Sequence, residues 1–426
     1  MLFTLDILVT VKNTQEIMVE SFAVHAKSLR VALVTETFAP EVNGVAMTLG
    51  RVVNGLLQRG HEVQVVRPKQ AIEGSYLPRA GLDEVLSKGV PIPNYPDLHF
   101  GLPFGNRLLK LWQLRRPDIV HVATEGPLGW SAVTAARKLR LPVTSSFHTN
   151  FDNYAQHYGI GLIRAPIEAY LRKLHNRTLA TMVPTQALMQ QLQTRGYRNL
   201  TLMSRGVAIE QFRPLARSEA LRERWGVTSD DLVLLYVGRL AKEKSLDTVL
   251  ATFTAVQTRL PRAKLVFVGD GPMRKALQEA CPQAIFCGLQ GGEALAAHYA
   301  SGDLFLFPSV TETYGNVVPE ALASGLAVLS YSHAAAAHLI RDGHNGALVA
   351  LADEKGFVNA AVALACDPQK LQSLRSQAPA SVAHLGWDTV FDHFVLTLRT
   401  AIAGHNADLA GARGAGQATL VNPPSA

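Results

Sequence analysis

The repeated alternation of short apolar runs with helix-period segments constrains the fold of this 426-residue chain more than any other feature. The run RVALVTE at 30–36 is followed by a loop, by helical spacing of apolar residues over 45–58, and by the run HEVQVVRP at 61–68. Buried strands of a parallel sheet read as continuous apolar runs, and parallel neighbours need a crossover between them. The pattern therefore predicts an α/β fold that opens as strand, loop, helix, strand.

The alternation continues through the first half of the chain and restarts near Gly206. Further strand-like runs lie at 118–124, 141–148 and 180–185, and then at 231–240, 263–272, 284–288, 303–309, 326–332 and 346–350. One hydrophobic core seldom grows beyond about 250–300 residues. The sequence therefore predicts two doubly wound, Rossmann-like domains that face an interdomain cleft.

Composition sets the predicted boundaries. The segment SRGVAIEQFRP places a Gly and a Pro at the junction of the two series, and the end of the chain is rich in Gly, Ala, Asn and Pro. Translation can start at Met1 or at Met18. We predict an N-terminal extension over 1–28, an N-terminal domain over 29–205, a C-terminal domain over 206–385, a helix over 386–403 that crosses back to the first domain, and a disordered tail over 404–426.

Charge is divided unevenly between the halves. Residues 1–205 hold 23 Lys and Arg against 14 Asp and Glu, a net charge of +9, whereas residues 206–426 carry a net charge of −2. This asymmetry predicts an anionic partner on the N-terminal side, either nucleic acid or an acidic membrane surface. Three cysteines suit a reducing compartment. The uncharged run Ala321–Ile340 holds three serines, two histidines and a tyrosine and so predicts no membrane span. The N-terminus has no basic region and is interrupted by Asp6, and it predicts no secretory signal.

The run PSVTETYGNVVPEALASG at 308–325 leaves a predicted strand and enters a helix. Glu312 and Glu320 flank a stretch whose backbone N–H groups would lie at a helix N-terminus, where phosphate binds. Carboxylates on either side of it can hold sugar hydroxyls. The alternative interpretation is an acidic arrangement that only caps the helix.

Three other loops follow predicted strands. In VGRLAKEKSLD, Arg239 and Lys244 could neutralise a diphosphate together, and the alternative is a solvated loop. VGDGPMRKAL lacks the third glycine of a dinucleotide fingerprint and predicts a tight turn. In the first half, a strand ends at His148, which could contact a ligand hydroxyl or serve only in packing. The loop after His148 holds Asp152 and Tyr154, and the earlier turn at Asn43 and Gly44 lets the backbone approach a ligand.

In this order, the loops resemble those of the retaining, nucleotide-sugar-dependent glycosyltransferases of family 4, which have the GT-B fold. The resemblance covers nearly all of 30–400, and one departure is Asn43, where many relatives carry a second glycine beside Gly44. It implies the following roles: Arg239 and Lys244 hold the leaving diphosphate; Gly44 contacts phosphate; Glu312 and the amides of Gly315 and Asn316 hold the donor sugar; the amides of Val317 and Val318 face phosphate; Glu320 binds the ribose; His148 faces the sugar; Gly288 flanks the base.

The resemblance further implies transfer of a hexose, from GDP-mannose or a UDP-hexose, to an acceptor hydroxyl of a membrane glycolipid precursor. Without an Asp-x-Asp or a His/Cys cluster, we expect no metal or other cofactor. The basic amphipathic segments 107–116 and 163–177 predict a protein that is cytoplasmic and peripheral on the inner face of the cytoplasmic membrane, although both could be ordinary helices with buried apolar faces. The alternatives are a soluble or polysaccharide acceptor, or a sugar-nucleotide-binding protein without catalysis. No nucleic acid is expected, and the oligomeric state stays open.

Overall fold

A computed structural model of the chain describes residues 27–41, 43–70, 79–92, 95–148, 164–312 and 314–418. The predicted fold class is confirmed, because two parallel sheets are each wound by helices. The strands are β1 Arg30–Val34, β2 Glu62–Pro68, β3 Leu82–Ser87, β4 Gly89–Ile92, β5 Tyr95–Gly101, β6 Ile119–Val122, β7 Val143–Ser146, β8 Ala180–Val183, β9 Leu200–Leu202, β10 Val233–Val237, β11 Lys264–Val268, β12 Ile285–Phe286, β13 Leu304–Phe307, β14 Ala327–Tyr331 and β15 Ala347–Val349.

The helices fall between the strands, as a parallel sheet requires. They are α1 Gly44–Gln58, α2 Gly105–Leu114, α3 Pro127–Lys138, α4 Arg164–His175, α5 Gln186–Thr194, α6 Glu219–Arg224, α7 Leu246–Arg259, α8 Arg274–Ala280, α9 Gly292–Ser301, α10 Val317–Ala323, α11 Ala334–Leu339, α12 Glu354–Ala365, α13 Pro368–Val382 and α14 Trp387–Ala418.

The strand order places the ligand crevice of each sheet. The first sheet runs β3-β2-β1-β6-β7-β8-β9, and the second runs β12-β11-β10-β13-β14-β15. The order reverses at β1/β6 and at β10/β13, and ligands of such sheets bind beyond the carboxyl ends of the strands at that reversal. The loops after β1, β6, β7, β10 and β13 therefore surround the expected crevice.

Three regions differ from the sequence prediction. The strands β3, β4 and β5 were not predicted, nor was β9; β3 and β9 lie at the two edges of the first sheet, and the polar residues of β3, LDEVLS, break the apolar run. The last helix does not end near residue 403, and the predicted disorder is replaced by helix as far as Ala418. Alanine is the best helix former, and 401–418 contain seven alanines and no proline. Residues 1–26 and 419–426 of the predicted extension and tail lie outside the described residues.

Helix α14 returns to the first half of the chain and completes its core. Phe391, Phe394 and Leu398 pack with Leu49 and Val53 of α1 in one buried cluster. Arg59, near the end of α1, donates to Asp388 at 3.0 Å and to Asp392 at 2.9 Å. The chain thus passes between the halves twice, and the two crossings meet where Val207 N donates to Leu385 O at 2.9 Å.

Candidate active site

The ends of β10 and β13 bring two predicted residues into direct contact. Lys244 closes the short 3-10 turn Lys242–Lys244, and its Nζ donates to Glu312 Oε1 in the loop after β13. Ser309 Oγ donates to the same oxygen at 2.8 Å. The Lys244 and Glu312 side chains are 19% and 15% exposed, so the pair is screened from water only in part. A cation and a carboxylate therefore meet at the strand reversal of the second sheet.

Arg239 lies beside this pair but points outward. Its side chain is 54% exposed, and its Nη1 lies 3.8 Å from Glu243 Oε1. The loop that carries it is fixed by the neighbouring turn, because Leu240 N donates to Asp270 O at 2.9 Å. A Cβ on Gly269, which has φ +134°, would lie 2.0 Å from Gly238 O, so only glycine allows this approach. The tight turn predicted at 268–277 thus holds the Arg239 loop in place.

The loop before α10 brings the sugar-side residues together. Gly315 has φ +86°, a conformation that side chains disfavour, and the position of its missing Cβ lies 3.6 Å from Glu312 Cγ. Asn316 occupies the N-cap of α10, but its side chain makes no capping hydrogen bond. Val318 N already donates to Gly315 O at 3.0 Å, so this amide is engaged within the turn. Val317 begins the seven-residue helix α10.

Glu320 lies one turn into α10 and is separate from Glu312. Its Oε2 accepts a hydrogen bond from Tyr299 Oη at 2.9 Å. Burial raises the pKa of Glu320 to about 7, while the Tyr299 hydrogen bond and the positive charge of Arg51 lower it. Arg51 belongs to α1 of the first half, so a cation of one half acts on a carboxylate of the other.

The N-terminal side presents His148 just beyond β7. Its Nδ1 lies 3.4 Å from Nη2 of Arg205, and its Nε2 is buried without a hydrogen-bond partner among the described residues. Burial holds the pKa of His148 well below its usual value, and the neighbouring positive charge of Arg205 lowers it further. His148 is therefore neutral at physiological pH. A cavity of about 40 Å³ adjoins it, lined by Thr48, His121, Met203, Trp387 and Phe394 among others.

The turn at Asn43 and Gly44 completes the facing side. Asn43 Oδ1 accepts from Val45 N at 3.1 Å and from Ala46 N at 2.9 Å, so this side chain caps α1. Gly44 begins α1, and the position of its missing Cβ lies 3.8 Å from both Arg205 Nη1 and Asn316 Nδ2. Gly44 of one half thus lies within contact distance of Asn316 of the other, so the crevice is closed at this point.

The remaining predicted residues lie apart from this cluster or cannot be placed. Gly288 follows β12 with φ +67°, and its carbonyl accepts from Gly269 N at 2.8 Å, so it borders the crevice further along the second sheet. Asp152 and Tyr154 lie outside the described residues. Their predicted roles remain predictions, as do the roles of the other site residues.

Sequence reasoning missed four contacts of the site. They are made by Arg205, Tyr299, Ser309 and His333, whose Nε2 lies 3.2 Å from Glu312 O. Ser309 stands within the run already singled out. The others are 21 to 111 positions from the residues they contact, a separation that no local pattern reveals.

No three His, Cys, Asp or Glu side chains of the described residues come together as a metal site. Within the same ranges, none of the helices combines the length and the apolar character needed to cross a bilayer.

Two parallel α/β sheets whose carboxyl edges face one crevice have the architecture of the GT-B fold. Residues 42–211 match the family described as "Glycosyltransferase Family 4", and residues 231–367 match "Glycosyl transferases group 1". The chain belongs to glycosyltransferase family 4, and it is an enzyme that transfers sugars.

Two relatives are similar in sequence, and one solved structure is similar in fold. A GDP-mannose-dependent alpha-mannosyltransferase of Corynebacterium glutamicum is 32% identical over 388 residues, which are 90% of each chain. An alpha-monoglucosyldiacylglycerol synthase of Streptococcus pneumoniae is 28% identical over 334 residues, which are 75% of each chain. The structure of sucrose-phosphate synthase from Thermosynechococcus elongatus has a TM-score of 0.72 at 16% identity, over 88% of this chain and 100% of that one.

Proposed function

We propose that this protein moves mannose from GDP-mannose to a hydroxyl of a membrane glycolipid precursor, with retention of the α configuration. The Lys244–Glu312 pair carries the proposal, because a cation and a carboxylate that suit a diphosphate and a sugar hydroxyl meet at the strand reversal. The named activity of the Corynebacterium relative supports GDP-mannose, and that of the Streptococcus relative supports a lipid acceptor.

The chemistry follows from the charges. The bond between the anomeric carbon and the β-phosphate oxygen breaks, and the acceptor oxygen bonds to that carbon while its proton passes to the departing phosphate. The leaving diphosphate gains negative charge as it departs. Lys244 and the exposed Arg239 lie on one loop and can both turn towards it, and charge-assisted contacts of this kind are the strong ones. When phosphate draws Lys244 away, Glu312 becomes able to accept hydrogen bonds from the sugar hydroxyls.

Neutralisation of the diphosphate without a metal ion is part of the proposal. Arg239 and Lys244 supply two positive charges where a divalent metal would otherwise supply them. No resident cofactor is needed for this step, since the nucleotide sugar is itself a substrate.

An acceptor embedded in a bilayer requires a surface of the enzyme that meets lipid, and the β4–β5 hairpin offers one. Val90 and Phe100 are cross-strand neighbours and are 46% and 44% exposed, and the adjacent Leu102 is 40% exposed. The exposed cation Lys88 lies next to Leu102, whose N–H donates to Lys88 O at 2.8 Å. Exposed apolar side chains flanked by cations suit an anionic membrane surface.

Helix α2 contributes to this surface only in part. Trp112 and Leu108, which the sequence placed in an amphipathic segment, are fully buried, and Trp112 Nε1 donates to Gln64 Oε1 at 3.0 Å. The apolar face of α2 is therefore core, as in the alternative interpretation of that segment. Its cations Arg107 and Lys110 stay exposed, and so does Leu114 at 89%.

Radiolabelled GDP-mannose, UDP-glucose, UDP-galactose and UDP-glucuronate, each incubated with the enzyme and a bacterial lipid extract, test donor and acceptor together. We expect a labelled, chloroform-soluble product with GDP-mannose. Label transferred only from a UDP-sugar contradicts the donor, and label found only in water-soluble or polysaccharide products contradicts the lipid acceptor.

Vesicle flotation tests the membrane surface separately. We expect binding to vesicles that contain anionic lipid, weakening with salt because surface attraction is screened beyond about 8 Å at physiological ionic strength. Phe100→Ser should weaken binding, and Leu215→Ser, at a site 87% exposed in the second half, is the matched control. Equal binding to neutral and anionic vesicles contradicts the electrostatic part of the proposal.

A further inference from the structure

One buried cation joins the two sides of the crevice. Arg205 follows β9 just before the first crossing between the halves, and only 8% of it is exposed. Its Nη1 donates to Asn316 Oδ1 at 3.3 Å, and its Nη2 lies 3.4 Å from His148 Nδ1. The guanidinium carbon lies 5.7 Å from the centre of the Tyr314 ring. A single side chain therefore touches the histidine of one half and the donor-side loop of the other.

This cation has no carboxylate partner within the described part of the chain. Every other buried arginine that these residues include, namely Arg67 and Arg222, forms an ion pair with an acidic side chain. Arg205 instead contacts an amide oxygen, an imidazole and an aromatic face. Burying an unpaired charge is costly, so a position that keeps one points to a purpose other than stability.

The contact with His148 fixes where the imidazole proton lies. A guanidinium carries five N–H donors and no acceptor. The nitrogen of His148 that faces it must therefore present a lone pair, and that nitrogen is Nδ1. A neutral imidazole has one proton, which then lies on Nε2. A second proton, on Nδ1, would point at the guanidinium and place two positive charges side by side.

The resulting Nε2–H group has nothing to donate to in the described residues. It is buried and makes no hydrogen bond there, although a buried donor without an acceptor costs about 1–3 kcal/mol. His148 follows β7 at the carboxyl edge of the first sheet, and Arg205 links it to Asn316, which directly follows Gly315 of the Glu312 loop. A ligand oxygen in the crevice would satisfy this donor.

We propose that Arg205 is a positioning residue that holds His148 as the Nε2–H tautomer, so that His148 donates a hydrogen bond to an oxygen of the donor sugar and cannot act as a base. This inference rests on the proposed function for the identity of the sugar, but the tautomer itself does not depend on it. The hydrogen bond from Arg205 to Asn316 sets the distance between this donor and the Glu312 loop. The acceptor proton must then leave through another group, such as the departing phosphate.

Ring-¹⁵N-labelled histidine reports the tautomer in the ligand-free full-length enzyme. Long-range ¹H–¹⁵N spectra distinguish Nε2–H from Nδ1–H, and loss of one signal set in His148→Gln assigns the residue. We expect Nε2–H in the wild type and in Arg205→Lys, which keeps a donor. In Arg205→Glu we expect a proton on Nδ1, because a carboxylate only accepts. Nδ1–H in the wild type, or Nε2–H unchanged in Arg205→Glu, overturns the proposal.

Kinetics provide the second measurement. Glutamine places its amide near the position of Nε2 and asparagine near that of Nδ1, so His148→Gln should keep about tenfold more kcat than His148→Asn. Arg205→Lys should keep more activity than Arg205→Glu by a similar factor, and melting curves confirm that all four variants fold. The reverse order within the histidine pair overturns the donor role. If the wild type transfers no sugar from any donor, the proposed function fails, while the spectra still decide the role of Arg205.

Discussion

The carboxyl edges of the two sheets meet the same crevice with opposite chemistry. The second sheet presents charge, in the form of Arg239 and the Lys244–Glu312 pair. The first presents, beside the buried cation Arg205, polar groups that stay neutral: His121 contacts Thr144 Oγ1 at 3.0 Å and Ser146 Oγ at 2.9 Å, and burial lowers its pKa to about 3. Charge suits an anionic diphosphate, whereas neutral hydrogen-bonding groups suit hydroxyls. The contrast indicates which ligand part each edge can hold.

The net charge of the two halves contrasts with the chemistry of their edges, because the half with the larger net charge does not present the charged edge. The first half carries +9, yet the exposed cations Arg107, Lys110 and Lys88 lie on α2 and beside β4, on the outer surface. Arg205 is the cation that approaches His148 from within this half. The net charge of the first half thus bears on how its outer surface meets an anionic partner. It does not describe the carboxyl edge of the first sheet.

The largest expected effect comes from removing a cation from the charged edge of the second sheet. Lys244→Ala removes a cation from the leaving diphosphate and should reduce kcat by about 100-fold to 1,000-fold, the range for losing one preorganised donor to a developing charge. Lys242→Ala is the matched control, since Lys242 begins the same turn with an exposed side chain. Steady-state kinetics with saturating acceptor measure both. Similar turnover in the two variants would assign Lys244 to stability alone.

The next effect concerns stability and pH. Because the pKa of Glu320 is about 7 in the folded protein and 4.5 in the unfolded chain, the native state holds a proton that the unfolded chain releases between these values. The stability linked to this proton is complete below pH 4.5 and is lost as the pH rises through 7, a change of about 3 kcal/mol.

Glu320→Gln removes this dependence, so the variant should melt at a higher temperature than the wild type at pH 8. The gap should narrow at pH 5. Thermal melts at both values measure it. If the difference in melting temperature is the same at pH 5 and pH 8, Glu320 is ionised at both values. Its protonation state would then not distinguish it from Glu312.

Substitutions of Glu312 and Glu320 should change the kinetics less than Lys244→Ala does, and each should change a different kinetic constant. Glu312 adjoins Lys244 and Gly315, so Glu312→Gln should mainly lower kcat by about tenfold to 100-fold, as a contact that strengthens in the transition state would. Glu320 bonds to Tyr299 further along α10, so Glu320→Gln should mainly raise the donor KM. Initial rates over a range of donor concentrations separate the two. Identical kinetic changes would contradict the division of roles.

The smallest expected effect is that of a metal chelator on the reaction rate. If Arg239 and Lys244 neutralise the diphosphate, treatment with EDTA should leave the rate within twofold of the untreated enzyme. Activity that disappears with EDTA and returns with Mn²⁺ or Mg²⁺ would show that the charged edge needs a metal. Lys244→Ala, assayed with added Mg²⁺, is the informative companion measurement.

The sequence predicts the buried strands well and the polar ones poorly. Runs such as DLVLLYVGRL are apolar throughout because β10 has neighbours on both sides, whereas β3 lies at a sheet edge and reads as a mixed segment. Within the site, Lys244 and Glu312 were found because each follows such a run. Arg205 was missed because its contacts, His148 and Asn316, lie 57 and 111 positions away, and only the folded chain brings them together.

The pairing of the two crossings has a mechanical consequence. Val207 and Gly386 form a parallel bridge, and a Cβ on Gly206 would lie 2.5 Å from the indole of Trp387, so the two connecting segments are packed and bonded as one short hinge. A rotation that opened the crevice would turn about this point, because both connecting segments pass through it. Arg205 stands two positions before Val207, close to the axis, where a rotation displaces atoms least. Because Arg205 and His148 both belong to the first half, their contact persists through such a rotation, while Gly44 of the first half and Lys244 of the second separate to admit a substrate.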